Sequence, residues 1–228
     1  MATTSGSKAG YHHGDLRNAL VAAAVDLANE GGPERVVLRE AARRVGVSPT
    51  AAYRHFDGQG DLLHSVKVRG QEALTAFMAA TVAEVSEAGD PGETAMRRLN
   101  ALGRGYVRFA LERPGLFRTA FCRTPEEPGE AMDWAGVTPA ASEPQYIAFN
   151  VLTKALDDLA ATGRMPVRNR PGAEATAWAV AHGLALLILD GPLARLSVEQ
   201  RDATVEQSLA TLVAGLTVGD DPQERRNK

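Results

Sequence analysis

Four arginines, Arg39, Arg43, Arg44 and Arg54, stand within residues 38–56 against a single acid, Glu40. A guanidinium is always charged and presents a flat fork of N–H donors that matches phosphate, so such a cluster is suited to polyanion binding. Arg39 and Arg43, four residues apart, share one face of a helix and are expected to grip a phosphate backbone together. Between them and Arg54 lies a run of small and polar residues, Ser48, Pro49, Thr50 and Ala51, followed by Tyr53 and His55. A second chemistry is nucleophilic: Cys122, His182 and Asp190 are the residue types of a hydrolase triad. No Gly-rich elbow, phosphate loop or paired histidine ligands accompany them, so enzyme chemistry is set aside. The five histidines (12, 13, 55, 64 and 182) are scattered, and neither a metal site nor a cofactor is expected.

The elements that must position these residues belong to an ordinary globular chain. Its 228 residues are 44% apolar and 23% charged with a net charge of −3, which excludes global disorder. One cysteine permits no internal disulfide and fits a reducing compartment. The longest apolar stretch, residues 173–189, is interrupted by Glu174 and His182 and falls short of the roughly 18 apolar residues a membrane span needs. Residues 1–10 lack the apolar core of a signal peptide. A soluble, cytoplasmic protein with no membrane partner is expected. Charge is uneven: residues 1–69 hold nine Lys/Arg against seven Asp/Glu, and the remainder 16 against 21. A basic helical front is joined to an acidic body.

Hydrophobic spacing is helical throughout. Leu16, Leu20, Ala23, Ala24 and Leu27 fall on one face of a helix that Gly31 and Gly32 stop. Val66, Gly70, Ala73, Phe77 and Ala80 repeat the spacing, as do Val205, Leu209, Leu212 and Leu216. No convincing strand survives, and the reading is an all-α chain of roughly nine helices. Within residues 38–56, Gly46 suits the left-handed stop of a short helix. Ser48 is a good N-cap and Pro49 a good first-turn residue, so a second helix starts two residues later. Ala41 and Ala42 let the two helices cross closely, while Val47, Ala51 and Phe56 fill the wedge. This is a helix-turn-helix, whose second helix enters the major groove of DNA.

The chain from Leu16 to Leu63 resembles the DNA-binding domain of the bacterial TetR family of transcriptional regulators. The resemblance lies in the first amphipathic helix ending at Glu30 and Gly31, the Gly46-Val47-Ser48 turn, the run Tyr53-Arg54-His55-Phe56, and Asp61-Leu62-Leu63. Farther on, Tyr106 to Phe117 and the Trp178, His182, Gly183 segment resemble one subgroup of the family. The resemblance implies a homodimer that binds a near-palindromic double-stranded operator, as a repressor released by a small ligand. An activator, or a regulator without a ligand, has the same sequence features. Ser48 and the N–H groups of the first turn would face a phosphate; Thr50 and Ala51 would meet base edges. Tyr53 and His55 would reach a phosphate or a base, with Arg54 beside them, solvated, or held in an internal ion pair. Two positions depart from the family pattern. Val37 replaces the usual Ser or Thr cap, and Gln59 stands where a lysine commonly opens the fourth helix and binds phosphate. The expected division is an arm at 1–13, a DNA-binding domain at 14–60, an effector-binding and dimerisation domain at 61–218, and a tail at 219–228.

Eight of the 12 aromatic residues, Tyr106, Phe109, Phe117, Phe121, Trp134, Tyr146, Phe149 and Trp178, lie between positions 106 and 178. With His182 they are expected to fill the core and, in part, to line a cavity for a neutral, apolar or aromatic effector. Residues 173–189 are apolar nearly all round, the pattern of a helix covered on both sides. Its Ala177, Leu184 and Ile188, with Val205, Leu209, Leu212 and Leu216, are the expected dimer interface.

Overall fold

The computed structural model describes residues 13–123 and 147–219. Among them are nine α-helices and no strand: α1 (His13–Gly31), α2 (Leu38–Val45), α3 (Pro49–Ala52), α4 (Gln59–Ala83), α5 (Pro91–Glu112), α6 (Pro114–Phe121), α7 (Ile147–Ala161), α8 (Ala173–Leu189) and α9 (Val198–Thr217). Residues 1–12 and 220–228 lie outside the described residues, so the arm and most of the tail are not addressed by the structure. The same holds for Trp134 and Tyr146.

Capping chemistry sets several helix starts. Asp90 accepts the Glu93 N–H at 2.9 Å ahead of Pro91, opening α5. Ser197 and Gln200 form a reciprocal capping box at α9. Val37 supplies no side-chain cap to α2, as its residue type dictates.

α5 is the axis of the larger bundle and touches α4, α6, α7, α8 and α9. α4 packs along α5 and also reaches α1 and α6. One hydrophobic cluster therefore runs without a break from Leu20, Leu27, Ala41, Ala52 and Phe56 through Leu62 and Leu74 to Phe109 and Phe117. Two smaller clusters fill the far end, one around Leu99, Leu156 and Val213, the other around Val107, Leu184 and Leu209.

On α4, Val66 and Gly70 are buried as the spacing predicts, but Ala80 is exposed and Leu74, Met78 and Thr81 take the inner face instead. A helix of 25 residues outruns any single stripe, because successive neighbours cover different faces. α6 meets the end of α1 closely at Gly115. A Cβ there would lie 2.1 Å from the Ala28 carbonyl oxygen and 2.9 Å from that of Asn29, so only glycine lets α6 rest on the end of α1.

Candidate nucleic-acid interface and interior cavity

α2 ends at Gly46, which adopts φ 79° and ψ 27°, and the Val47 N–H donates back to the Ala42 carbonyl at 3.0 Å. This left-handed stop reverses the chain within two residues. Ser48 Oγ then accepts the Ala51 N–H at 3.2 Å and starts α3. The element that follows is shorter than the sequence spacing suggests. α3 is one turn, and residues 53–55 continue as tighter turns closed by His55 N–H to Ala52 O at 2.9 Å. Within the wedge, Ala52 and Phe56 are buried, whereas Ala51 is half-buried. Ala52, one residue on, takes the fully buried place expected of Ala51.

Arg17 fixes the far end of this element. Its guanidinium lies 4.2 Å from the Phe56 ring centre, donates to the His55 carbonyl, and pairs with Asp61 at 3.3 Å. A residue from α1 thus ties the end of the recognition turn to the start of α4. Nothing in the spacing marks it, because its partners lie 38 to 48 residues away.

Ser48, Pro49, Thr50, Tyr53, Arg54, Arg39, Arg43 and Gln59 are all exposed, and His55 is half-buried. The expected array of N–H groups is smaller than the sequence suggests. Pro49 has no N–H and the Ala51 N–H is held by Ser48, which leaves Thr50. The arginines also divide. Arg43 is forked onto Glu40 at 2.6 and 2.9 Å, which holds that carboxyl down to about 2. Arg44 is forked onto Glu30 of α1 at 2.6 and 2.8 Å. Arg39 and Arg54 make no hydrogen bond or ion pair among the described residues. The joint grip expected of Arg39 and Arg43 is therefore unequal, since Glu40 neutralises one of them.

Farther from this surface, Tyr106, Phe117, Phe121, Trp178 and His182 form one aromatic cluster. Tyr106 meets Phe117 edge-on at 5.7 Å, and Phe121 meets Trp178 edge-on at the same spacing. At its centre the Tyr106 hydroxyl and His182 Nδ1 are 2.7 Å apart. Burial pushes the Tyr106 hydroxyl well above its ordinary pKa and lowers that of His182, so both are held neutral. Beside the cluster is an apolar cavity of about 30 Å³, lined among others by Met78, Asn100, Tyr106, Leu152, Trp178 and Leu212. Of the expected pocket residues in the described part, Tyr106 and Trp178 line it. Phe109, Phe117, Phe121, Phe149 and His182 pack around or behind it; Phe109 stacks edge-on against Phe77 at 5.9 Å.

The hydrolase reading loses its geometry here. Asp190 is forked onto Arg118 of α6, and His182 Nδ1 is bonded to Tyr106. Among the described residues no group of three or more His, Cys, Asp or Glu is placed to hold a metal ion, and no helix is long and apolar enough to cross a membrane.

Comparison with known proteins gives the same picture from another direction. Residues 20–66 match the profile described as "Bacterial regulatory proteins, tetR family", and residues 99–212 match "Tetracyclin repressor-like, C-terminal domain". The second match alone spans half the chain. The protein belongs to the TetR family.

Its relatives bracket the likeness. An uncharacterized HTH-type transcriptional regulator, YobS of Bacillus subtilis (strain 168), is 31% identical over 104 residues, 46% of this chain. The matched region is half of that relative's length. A protein of unknown function from Rhodococcus sp. RHA1 has a solved structure with TM-score 0.71 at 27% identity, covering 91% of this chain and 98% of its own. A TetR variant from Acinetobacter baumannii AYE, solved in complex with minocycline, shares the fold at TM-score 0.55 and 19% identity, covering 92% and 100%. Membership in this family places the chain among DNA-binding regulators and not enzymes.

For this TetR-family protein the residues expected at a dimer interface take the following places in the protomer. Ala177, Leu184, Ile188, Val205, Leu209 and Leu216 are all buried inside the protomer, and Leu212 is half-buried. Leu209 lies over Gly103 of α5, where a Cβ would come within 2.5 Å of it. These stripes face α5 and α7, so they hold the protomer together. What α8 leaves uncovered is its outer side, where Leu186 is 40% exposed and Leu187 43%, and Val198 in the first turn of α9 is 58% exposed. The all-round apolar character of α8 means one face for its own bundle and one left over.

Proposed function

We propose that the protein is a homodimeric transcriptional repressor that binds a near-palindromic DNA operator through residues 14–60 and is released by a small apolar or aromatic ligand held within residues 61–218. The observation that carries the DNA reading is the element Ser48–His55, which turns Ser48, Pro49, Thr50, Tyr53 and Arg54 outward from a helix-turn-helix. Thr50 and Ala51 offer methyl groups to a base edge; Tyr53, Arg54 and His55 reach a base or a phosphate. Arg39, Arg43, Ser48, Pro49 and Gln59 border the same surface and meet the backbone. With few long polar side chains on α3, shape readout carries part of the specificity.

The exposed leucines of α8 and the exposed Val198 of α9 support pairing of two protomers through those helices. A dimer presents two recognition elements to two half-sites one helical turn apart. The aromatic cluster and its neutral Tyr106–His182 pair support an uncharged effector. The cavity beside them has room for about one water, so effector binding must widen it, and that widening is what would bias the DNA-binding units between two arrangements.

The test is a fluorescence-anisotropy titration of labelled duplexes from the regions flanking the protein's own gene, at two salt concentrations, with random duplex as control. Tight, salt-sensitive binding to one fragment at two protomers or a multiple is the expected result. Affinity no greater than for random duplex, there and in genome-wide selection, overturns the reading.

A further inference from the structure

α5 carries a line of arginines that the DNA reading does not use. Arg104 and Arg108 lie seven and eleven residues beyond Arg97, offsets that return to within about 20° of its helix direction at 100° per residue. They form one wall of an open groove of about 450 Å³ between α5 and the end of α4, which Asn100 and Glu84 also line. Three guanidinium groups line the groove beside one carboxylate, Glu84, and two further carboxylates, Glu206 and Glu112, reach Arg104 and Arg108 from its edge.

Each of these arginines commits one terminal nitrogen to the protein. Arg97 Nη2 donates to Thr94 Oγ1 at 2.8 Å, to Ala88 O at 3.0 Å and to Ser86 O at 3.2 Å. Arg104 Nη1 meets Glu206 at 3.3 Å and Arg108 Nη2 meets Glu112 at 3.2 Å. Both of the latter pairs are single-point and solvent-exposed, the kind worth about 0–1 kcal/mol that a better acceptor displaces. Arg43, Arg44 and Arg118, by contrast, are already closed as two-point forks on carboxylates. The Arg97 guanidinium is anchored to backbone carbonyls, which fix it without cancelling its charge. Asn100, which lines both this groove and the apolar cavity, has its Oδ1 buried with no hydrogen-bond partner.

We infer that this groove is a second ligand site, on the outer side of α5 from the aromatic cavity, that takes a small polyanion with phosphate or carboxylate groups set several ångströms apart. Along the axis Arg104 stands about 6 Å from Arg108 and about 10 Å from Arg97, at 1.5 Å per residue. A single small anion engages one arginine; a molecule with two or three anionic groups engages the line. Planar forks favour such oxyanions over halide, and the rim of the groove is open to solvent.

The experiment is calorimetric titration of the full chain with tripolyphosphate, with citrate and with sodium sulfate, at low salt and again at 0.3 M salt (about a 5–6 Å screening length). The expected result is saturable binding of tripolyphosphate or citrate at one site per protomer, with sulfate much weaker; tripolyphosphate above citrate assigns phosphate, and the reverse assigns carboxylate. Arg104→Ala with Arg108→Ala should weaken binding at least about ten-fold, the loss of one or two charge-assisted bonds. Arg98→Ala, whose side chain pairs with Glu87 away from this groove, should change it less than about two-fold. Arg104→Lys keeps the charge and the fold and should recover only part of the affinity. Equal weakening by Arg98→Ala, no effect of the double variant, or sulfate binding as well as the polyanions overturns the proposal. Because the readout is direct binding, failure of the apolar-effector reading leaves this result interpretable.

Discussion

The Arg17 guanidinium stacks 4.2 Å above the centre of the Phe56 ring, joining the first helix to the residue that closes the recognition turn. The same group bonds the His55 carbonyl and pairs with Asp61, so three segments meet on one side chain. Arg17→Ala removes a cation–π interaction and an exposed pair, together about 1 kcal/mol of local stability. The expected outcome is operator binding weakened about five-fold with helix content unchanged, read by anisotropy and circular dichroism. Unaltered affinity would show that the turn holds its shape without Arg17.

Tyr53 is half exposed at the end of α3, and His55 is two residues on. Replacing both with alanine leaves Phe56 and Ala52 in the core, so the dimer should remain folded. Operator affinity should fall at least about ten-fold, because each base pair the protein no longer reads costs about 1–3 kcal/mol. Equal affinity of the double variant and the parent protein sinks the recognition assignment.

A charge on the two faces of the C-terminal helices should act in opposite ways. Leu187→Glu falls on an exposed site and is expected to yield a folded monomer in sedimentation. Leu209→Glu buries a carboxylate against α5 and is expected to abolish cooperative unfolding instead. A Leu187→Glu protein that still sediments as a dimer moves the interface elsewhere.

Gly115→Ala tests the junction between α6 and α1. The new Cβ meets backbone oxygen, which cannot move aside as a flexible side chain can. We expect thermal stability to drop by about 1–3 kcal/mol, as for other overpacking changes. A melting temperature equal to that of the parent would mean the two helices slide freely.

Acidity should act through His182. Burial lowers its pKa in the folded protein below the ordinary 6.5 of the unfolded chain, so the unfolded state binds the proton more readily. The stability this provides is complete above pH 6.5 and is lost as pH falls through the lowered folded value. Denaturant unfolding between pH 7.5 and pH 5 (about one unit above and one and a half below the reference value) should show that loss, and His182→Gln should reduce it. Tyr106→Phe should cost about 1 kcal/mol at neutral pH, because the His182 Nδ1 loses its partner. An identical pH slope in the parent and His182→Gln proteins would assign the loss to other groups.

Local chemistry alone determined the helical class, the left-handed stop at Gly46, the Ser48 cap and the place of the helix-turn-helix, because each depends on residues within one or two turns of one another. The aromatic cluster was legible as a cluster for the same reason, since residue type and spacing already concentrate the rings. What the chain does with a helix that is apolar on every side was not legible. Periodicity names the faces of α8 and α9 but not which one meets α5, and only the packed bundle decided that Leu209 points inward and Leu187 outward. The same holds for Arg17 on Phe56, Gly115 on Ala28 and the free edges of Arg97, Arg104 and Arg108. Each joins residues far apart in sequence, or depends on which neighbouring acids the fold brings within reach, and such distances are set by tertiary packing and by no local preference.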